Sequence, residues 1–123
     1  MSRKRAAVQY HLGSLFECFT EEFRRLDENA ALCINERDIF ELMVLDAIGQ
    51  LDRDDRKQQE YYTFINDMLS FDMGNTEICD ILLKYSKILR KKLRSLRRVI
   101  RTDVEVKWRS GSASVILVEK EYA

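Results

Sequence analysis

One stretch, Glu77 to Leu117, limits what this chain can become more than any other. It opens with a short apolar-patterned segment (Ile78, Cys79, Ile81, Leu82), and the spacing then predicts a turn near Leu83–Tyr85. A longer segment follows, with Ile88, Leu89, Leu93, Leu96, Val99 and Ile100 falling on one helical stripe. Lys84, Lys87, Arg90, Lys91, Lys92, Arg94, Arg97, Arg98 and Arg101 crowd the other face. Two alternating runs, Val104–Trp108 and Ala113–Val118, flank Arg109, Ser110, Gly111 and Ser112. The predicted order is therefore helix, turn, basic helix, hairpin.

Charge is divided along the chain with the same boundary. From Lys84 to Arg109 there are eleven Lys or Arg against two acids, a net +9. From His11 to Leu83 there are six against seventeen, a net −11, and the full 123 residues sum to zero. Screening confines surface fields to about 10 Å at moderate salt, so a nucleic-acid phosphate backbone meets the basic part and not the neutral total. The same split also permits a different use of the basic face, as the counterweight to the acidic remainder across an intramolecular or dimer contact.

These residues resemble a family pattern. Helix-turn-helix motifs run Glu-Ile-Ala, two free positions, Leu-Gly, then a second helix with apolar residues at fixed offsets. Here Glu77, Ile78, Cys79 in the alanine place, Leu82, Ile88, Leu89, Leu93 and Leu96 follow that order, and the segment after them resembles a strand-turn-strand wing. Asn35 to Gly49 looks like the helix that precedes the motif in MarR/SarA-type regulators, and a long helix from about Ala6 to Asn29 fits their order. The resemblance implies a winged helix-turn-helix fold and a DNA-binding role. The sequence departs from it at Leu83, which stands where the turn has glycine, and in Asp52–Gly74, which is longer than the usual connection and reads as helical. It also ends just after the wing, where those regulators carry a C-terminal dimerisation helix.

The expected fold is thus mostly α with a small C-terminal β-hairpin, an α+β winged helix-turn-helix, in one domain spanning 1–123. Its parts are N-terminal helices over 1–50, the motif over 76–99 and the wing over 103–119. Helices are expected near 6–29, 36–50, 57–70, 76–83 and 86–99. The first helix carries the amphipathic stripe Leu12, Leu15, Phe16, Phe19, Phe23 and Leu26, with Glu17, Glu21, Glu22, Arg24 and Arg25 on its other face. That stripe serves either the core alone or the core and a dimer seam formed by Leu12, Phe16, Phe19 and Phe23. Gly13 lies inside the pattern and costs up to about 1 kcal/mol against alanine in a helix.

Asn35 is the expected N-cap of the second helix, with Ile34 ahead of it as a staple and Glu36 and Asp38 at the positive helix end. Its buried face is Ile39, Phe40, Met43, Ala47 and Ile48, and Gly49 closes it. The charged run Asp52–Lys57 reads as a solvated loop. Tyr61, Phe64, Ile65, Met68 and Leu69 point inward from the third helix. Tyr61 and Tyr62 have no adjacent cations, which favours a core or rim role over stacking on bases. In the hairpin the valines and Trp108 share one face, and Gly111 takes the turn conformation.

No metal or cofactor site is expected. Cys18, Cys33 and Cys79 are widely spaced with no CxxC pair, and His11 is the sole histidine, so buried reduced thiols are the first reading and redox sensing by Cys18 or Cys33 the second. A catalytic nucleophile would lack a base, no glycine-rich phosphate loop is present, and no membrane span or signal peptide is visible. A non-enzymatic, cytoplasmic, nucleoid-associated protein follows.

The resulting expectation is a homodimeric, sequence-specific regulator of transcription on double-stranded DNA. Helix 86–99 would enter the major groove and the wing, 103–118, would touch the backbone. Lys87, Arg90, Lys91 and Arg94 are candidates for base edges. Lys84, Tyr85, Ser86, Arg98, Arg101, Lys107 and Arg109 are candidates for phosphates. The alternative is a helical or winged-helix adaptor that binds acidic protein and no DNA. RNA binding is weaker, for want of a basic and aromatic strand platform.

Overall fold

The computed structural model describes residues 8–26, 35–50, 55–70, 76–99, 103–109 and 112–118. Its elements run β1 (Val8–His11), α1 (Gly13–Leu26), α2 (Glu36–Ala47), α3 (Arg56–Ser70), α4 (Thr76–Lys92), α5 (Arg94–Val99), β2 (Asp103–Arg109) and β3 (Ser112–Val118). Helices pack on one face of a three-stranded antiparallel sheet of order β1-β3-β2. The α+β class holds, with the β-structure gathered into that sheet. None of the described helices is long and apolar enough to cross a membrane.

The sheet contains more than a hairpin. Val8–His11 was expected to open the first helix, yet it pairs with β3, Val8 opposite Leu117 and His11 opposite Ser114. Its short Val-Gln-Tyr-His alternation is a strand pattern, and the partner that makes it one lies at the far end of the sequence. β3 is consequently the middle strand, and its register sets Val115 between Tyr10 and Val106. Ala113 and Val115 face the helices, while Ser114 and Ile116 on the outer face are also buried.

Gly13 has a packing reason. It is the first residue of α1, directly under β3, where the Leu12 N–H donates to the Ala113 carbonyl at 2.8 Å. A Cβ there would sit 2.9 Å from the Ser112 Cβ, so only glycine lets strand and helix approach this closely.

The aromatic stripe of α1 fills the protein's own core. Leu12, Phe16, Phe19 and Phe23 are all buried. The Phe16 ring lies 5.1 Å from Phe40 and 4.6 Å from Trp108, and Phe19 lies 5.7 Å from Phe40 and 5.4 Å from Tyr85. The expected dimer seam through these four residues is therefore corrected: all four side chains are taken up in the core of a single copy. Leu15 is partly buried, and the Leu26 side chain lies outside the described residues.

α2 begins and ends as its sequence dictates. The Asn35 side chain accepts from the Arg37 N–H, with Glu36 and Asp38 in the first turn. At the other end Gly49 takes φ 76°, its N–H donates to the Asp46 carbonyl, and the Gln50 N–H reaches the Leu45 carbonyl, a Schellman closure. Ile39, Phe40, Met43, Ala47 and Ile48 are buried as expected, joined by Leu42 and Val44. The staple residue Ile34 lies outside the described residues. Asp55, read as part of a solvated loop, caps α3 instead, accepting from the Gln58 N–H at 3.2 Å. On α3 Tyr61 is buried and Tyr62 half-buried, with rings 6.0 Å apart, the core-and-rim arrangement. Phe64, Ile65, Met68 and Leu69 have side chains outside the description.

The largest correction concerns Glu77–Val99. α4 runs without interruption from Thr76 to Lys92, through the Leu83–Tyr85 segment where a turn was expected. Neither glycine nor proline stands there to stop the helix, and Ile78, Leu82, Tyr85, Leu89, Leu93 and Leu96 form one continuous buried stripe. The only break falls at Leu93, after which α5 adds six residues. Separate helices over 76–83 and 86–99 are not present, so the helix-turn-helix expected within 76–99 is corrected. The hairpin is found where expected, as β2 and β3, but it is held against the helices: the Trp108 indole N–H donates to Glu41 Oε1 and the Arg37 guanidinium lies 5.1 Å above the same ring.

Candidate nucleic-acid interface

The basic half of the chain sorts into three groups by what its side chains touch. Lys84 and Arg90 are tied to neighbouring helices. The Lys84 ammonium donates to Glu22 Oε1 on α1 at 2.9 Å, and Arg90 Nη2 donates to Asp46 Oδ2 on α2 at 3.4 Å. These two cations link α4 to both flanking helices and answer the acidic N-terminal half directly.

Tyr85 and Ser86 form the second group. Tyr85, expected at a phosphate, is 3% exposed and packs on Phe19, a correction that follows from its place on the buried stripe of the longer helix. Burial, and then the Glu22 carboxylate, push its pKa well above the ordinary tyrosine value. Conversely, the nearby Tyr85 hydroxyl and then the Lys84 ammonium hold Glu22 below its ordinary carboxylate value. Ser86 is half-buried.

The third group faces water. Lys87, Lys91, Lys92 and Arg94 are exposed along the outer side of α4 and the start of α5, and none takes an ion pair among the described residues. Lys107 and Arg109 are exposed on β2, where their carbonyls accept from the Ser114 and Ser112 hydroxyls. The Arg98 side chain and all of Arg101 lie outside the described residues. Arg90, Lys91 and Lys92 close the last turn of α4, where positive charge also complements the helix dipole. Lys87 and Arg94 fall outside that explanation.

Two apolar side chains share this surface. Leu83 is 51% exposed and Ile88, expected in the buried stripe, is 37% exposed. Lengthening the helix rotates the register by which the stripe is read: Leu82 and Tyr85 continue to Leu89, and Ile88 falls outside it. Sequence reasoning missed this, although the spacing of 4, 3 and 4 from Ile78 through Leu82 and Tyr85 to Leu89 was available.

Cys18 is exposed and Cys79 half-buried, both as free thiols, so the expectation of core-packed cysteines is corrected at Cys18. Burial, then Asp80, raise the Cys79 pKa, which disfavours its thiolate form. Cys33 lies outside the described residues. Among the described residues no three His, Cys, Asp or Glu side chains gather as a metal site. Compared with known protein-family models, curated proteins and solved structures, the chain matches none.

Proposed function

We propose that this chain binds duplex DNA through the phosphate backbone, using Lys87, Lys91, Lys92 and Arg94 as its main contacts and Lys107 and Arg109 as a second set. The observation that carries the reading is the division among the cations. Lys84 and Arg90 are engaged by Glu22 and Asp46, while four neighbouring cations stand exposed with no acidic partner among the described residues. Exposed cations in a row match a polyanion, and contact with phosphates releases counterions. A separate recognition helix over 86–99 is not part of the proposal. Residues 84–92 belong to the middle and end of α4, so no free helix N-terminus is offered to a groove there.

A second reading, an adaptor for an acidic protein segment, draws on a specific observation. Leu83 and Ile88 are exposed beside Lys87, and apolar side chains among cations suit a protein surface better than phosphate. Mobility-shift titrations against random duplex DNA at low and moderate salt, with polyglutamate as competitor, separate the two. Retention of DNA that weakens steeply with salt supports the first reading. Failure to retain DNA at low salt removes it and leaves the adaptor.

A further inference from the structure

We propose that the outer edge of β2 pairs with the same edge of a second copy of the chain, antiparallel about a two-fold axis at Val106. β2 is an edge strand: β3 lies on one side, and among the described residues no strand lies on the other. It is seven residues long, and the chain contains no proline to interrupt such an edge. Alternate backbone N–H and C=O groups therefore point outward with no strand to receive them. Its inner face is already engaged, with Trp108 packed on Phe16 and hydrogen-bonded to Glu41.

The side chains of the outer face identify the occupant. Glu105, Lys107 and Arg109 are exposed and take no ion pair among the described residues. Pairing about Val106 sets Glu105 opposite Lys107 of the second copy and Lys107 opposite its Glu105. The same register sets Val104 level with Trp108. Every opposed charge is then of opposite sign, and each such pair occurs twice, as an isologous contact requires. Competing registers fail. A shift of two residues places Glu105 against Glu105 or Lys107 against Lys107, and a shift of one turns the valines to the outer face. Edge charges of one sign would only repel a second strand, whereas this acid-then-base order is complementary to its own reverse. Lys107 engages Glu105 of the second copy in this pairing, so in the dimer the phosphate contacts fall to Lys87, Lys91, Lys92 and Arg94.

Sedimentation velocity on the full chain over a range of concentrations tests it. The wild type is expected to form dimers, and Glu105→Lys or Lys107→Glu alone to raise the dimer Kd about tenfold or more, since two attractive pairs become repulsive. An equimolar mixture of the two variants is expected to regain the dimer, because each unlike pair is rebuilt across the axis. The doubly swapped chain, carrying both substitutions, regains it alone. Circular dichroism checks that each variant is folded, and rescue by mixing excludes misfolding as the cause of the loss. A wild type that stays monomeric, a dimer indifferent to either reversal, or a mixture that remains monomeric overturns the proposal.

Discussion

Arg90 reaches Asp46 across the α2–α4 interface at 3.4 Å, so one of the four cations named as candidates for DNA base edges is engaged by a carboxylate of the same molecule. Both side chains keep partial contact with water, and exposed pairs of this kind contribute about 0.2–1 kcal/mol. A double-mutant cycle with Arg90→Ala and Asp46→Ala, read by urea denaturation, is expected to give a coupling in that range. A zero coupling would mean that the contact does not hold α4 in place.

Phe19 lies at the centre of the aromatic cluster formed with Phe23, Phe40 and Tyr85. Phe19→Ala is expected to cost about 3–5 kcal/mol in urea denaturation, the usual cost of a deleted core phenyl ring. Phe19→Glu is expected to leave the chain unfolded, since it buries a carboxylate with no partner. A folded Phe19→Glu chain of altered oligomeric state would restore the dimer-seam reading.

Gly13→Ala is expected to destabilise the protein even though alanine is the better helix former by about 1 kcal/mol. The added methyl would meet the Ser112 Cβ at 2.9 Å. Adding Ser112→Gly should recover much of the loss by removing that Cβ. Thermal unfolding of the two single variants and the double variant measures it, and a stabilising Gly13→Ala would refute the close approach.

Tyr85 and Glu22 shape stability at both ends of the pH scale. The folded Glu22 pKa is depressed below 4.5, so its contribution is full above that value and is lost as pH falls through the depressed one. The folded Tyr85 pKa is raised above 10.0, so its contribution is full below 10.0 and is lost as pH rises beyond it. Tyr61, raised by burial and then by Asp46, adds to the alkaline loss. Tyr85→Phe is expected to flatten the acid limb and to leave only the Tyr61 share of the alkaline one, as followed by urea midpoints against pH. Limbs unchanged by the substitution would show that the Tyr85–Glu22 contact carries no linkage.

Much of the local structure was legible in the sequence because local chemistry determines it. Asn35 with Glu36 and Asp38 starts α2, Gly49 ends it, and alternation around Trp108 makes β2. What escaped was decided elsewhere. β1 is a four-residue strand whose partner, β3, lies more than a hundred positions later, so only tertiary pairing distinguishes it from the start of a helix. The turn expected at Leu83–Tyr85 came from reading the apolar spacing as two separate segments, while no glycine or proline stands there to stop a helix. At the candidate site, sequence located the basic surface but could not tell tied cations from free ones. Glu22 and Asp46 are 62 and 44 residues from Lys84 and Arg90.

The salt dependence of duplex-DNA affinity, measured by fluorescence anisotropy on wild type and single alanine variants, tests the proposed function most directly. With four to six phosphate contacts, affinity is expected to fall about a hundredfold to a thousandfold between 50 and 200 mM salt. Lys87→Ala, Lys91→Ala and Arg94→Ala are each expected to weaken all sequences alike and to flatten the slope by about one unit. Lys84→Ala and Arg90→Ala, whose charges are already engaged by Glu22 and Asp46, are expected to leave the slope unchanged. Affinity indifferent to salt, or a slope that responds to Lys84 and Arg90 but not to Lys87, Lys91 and Arg94, would contradict the account.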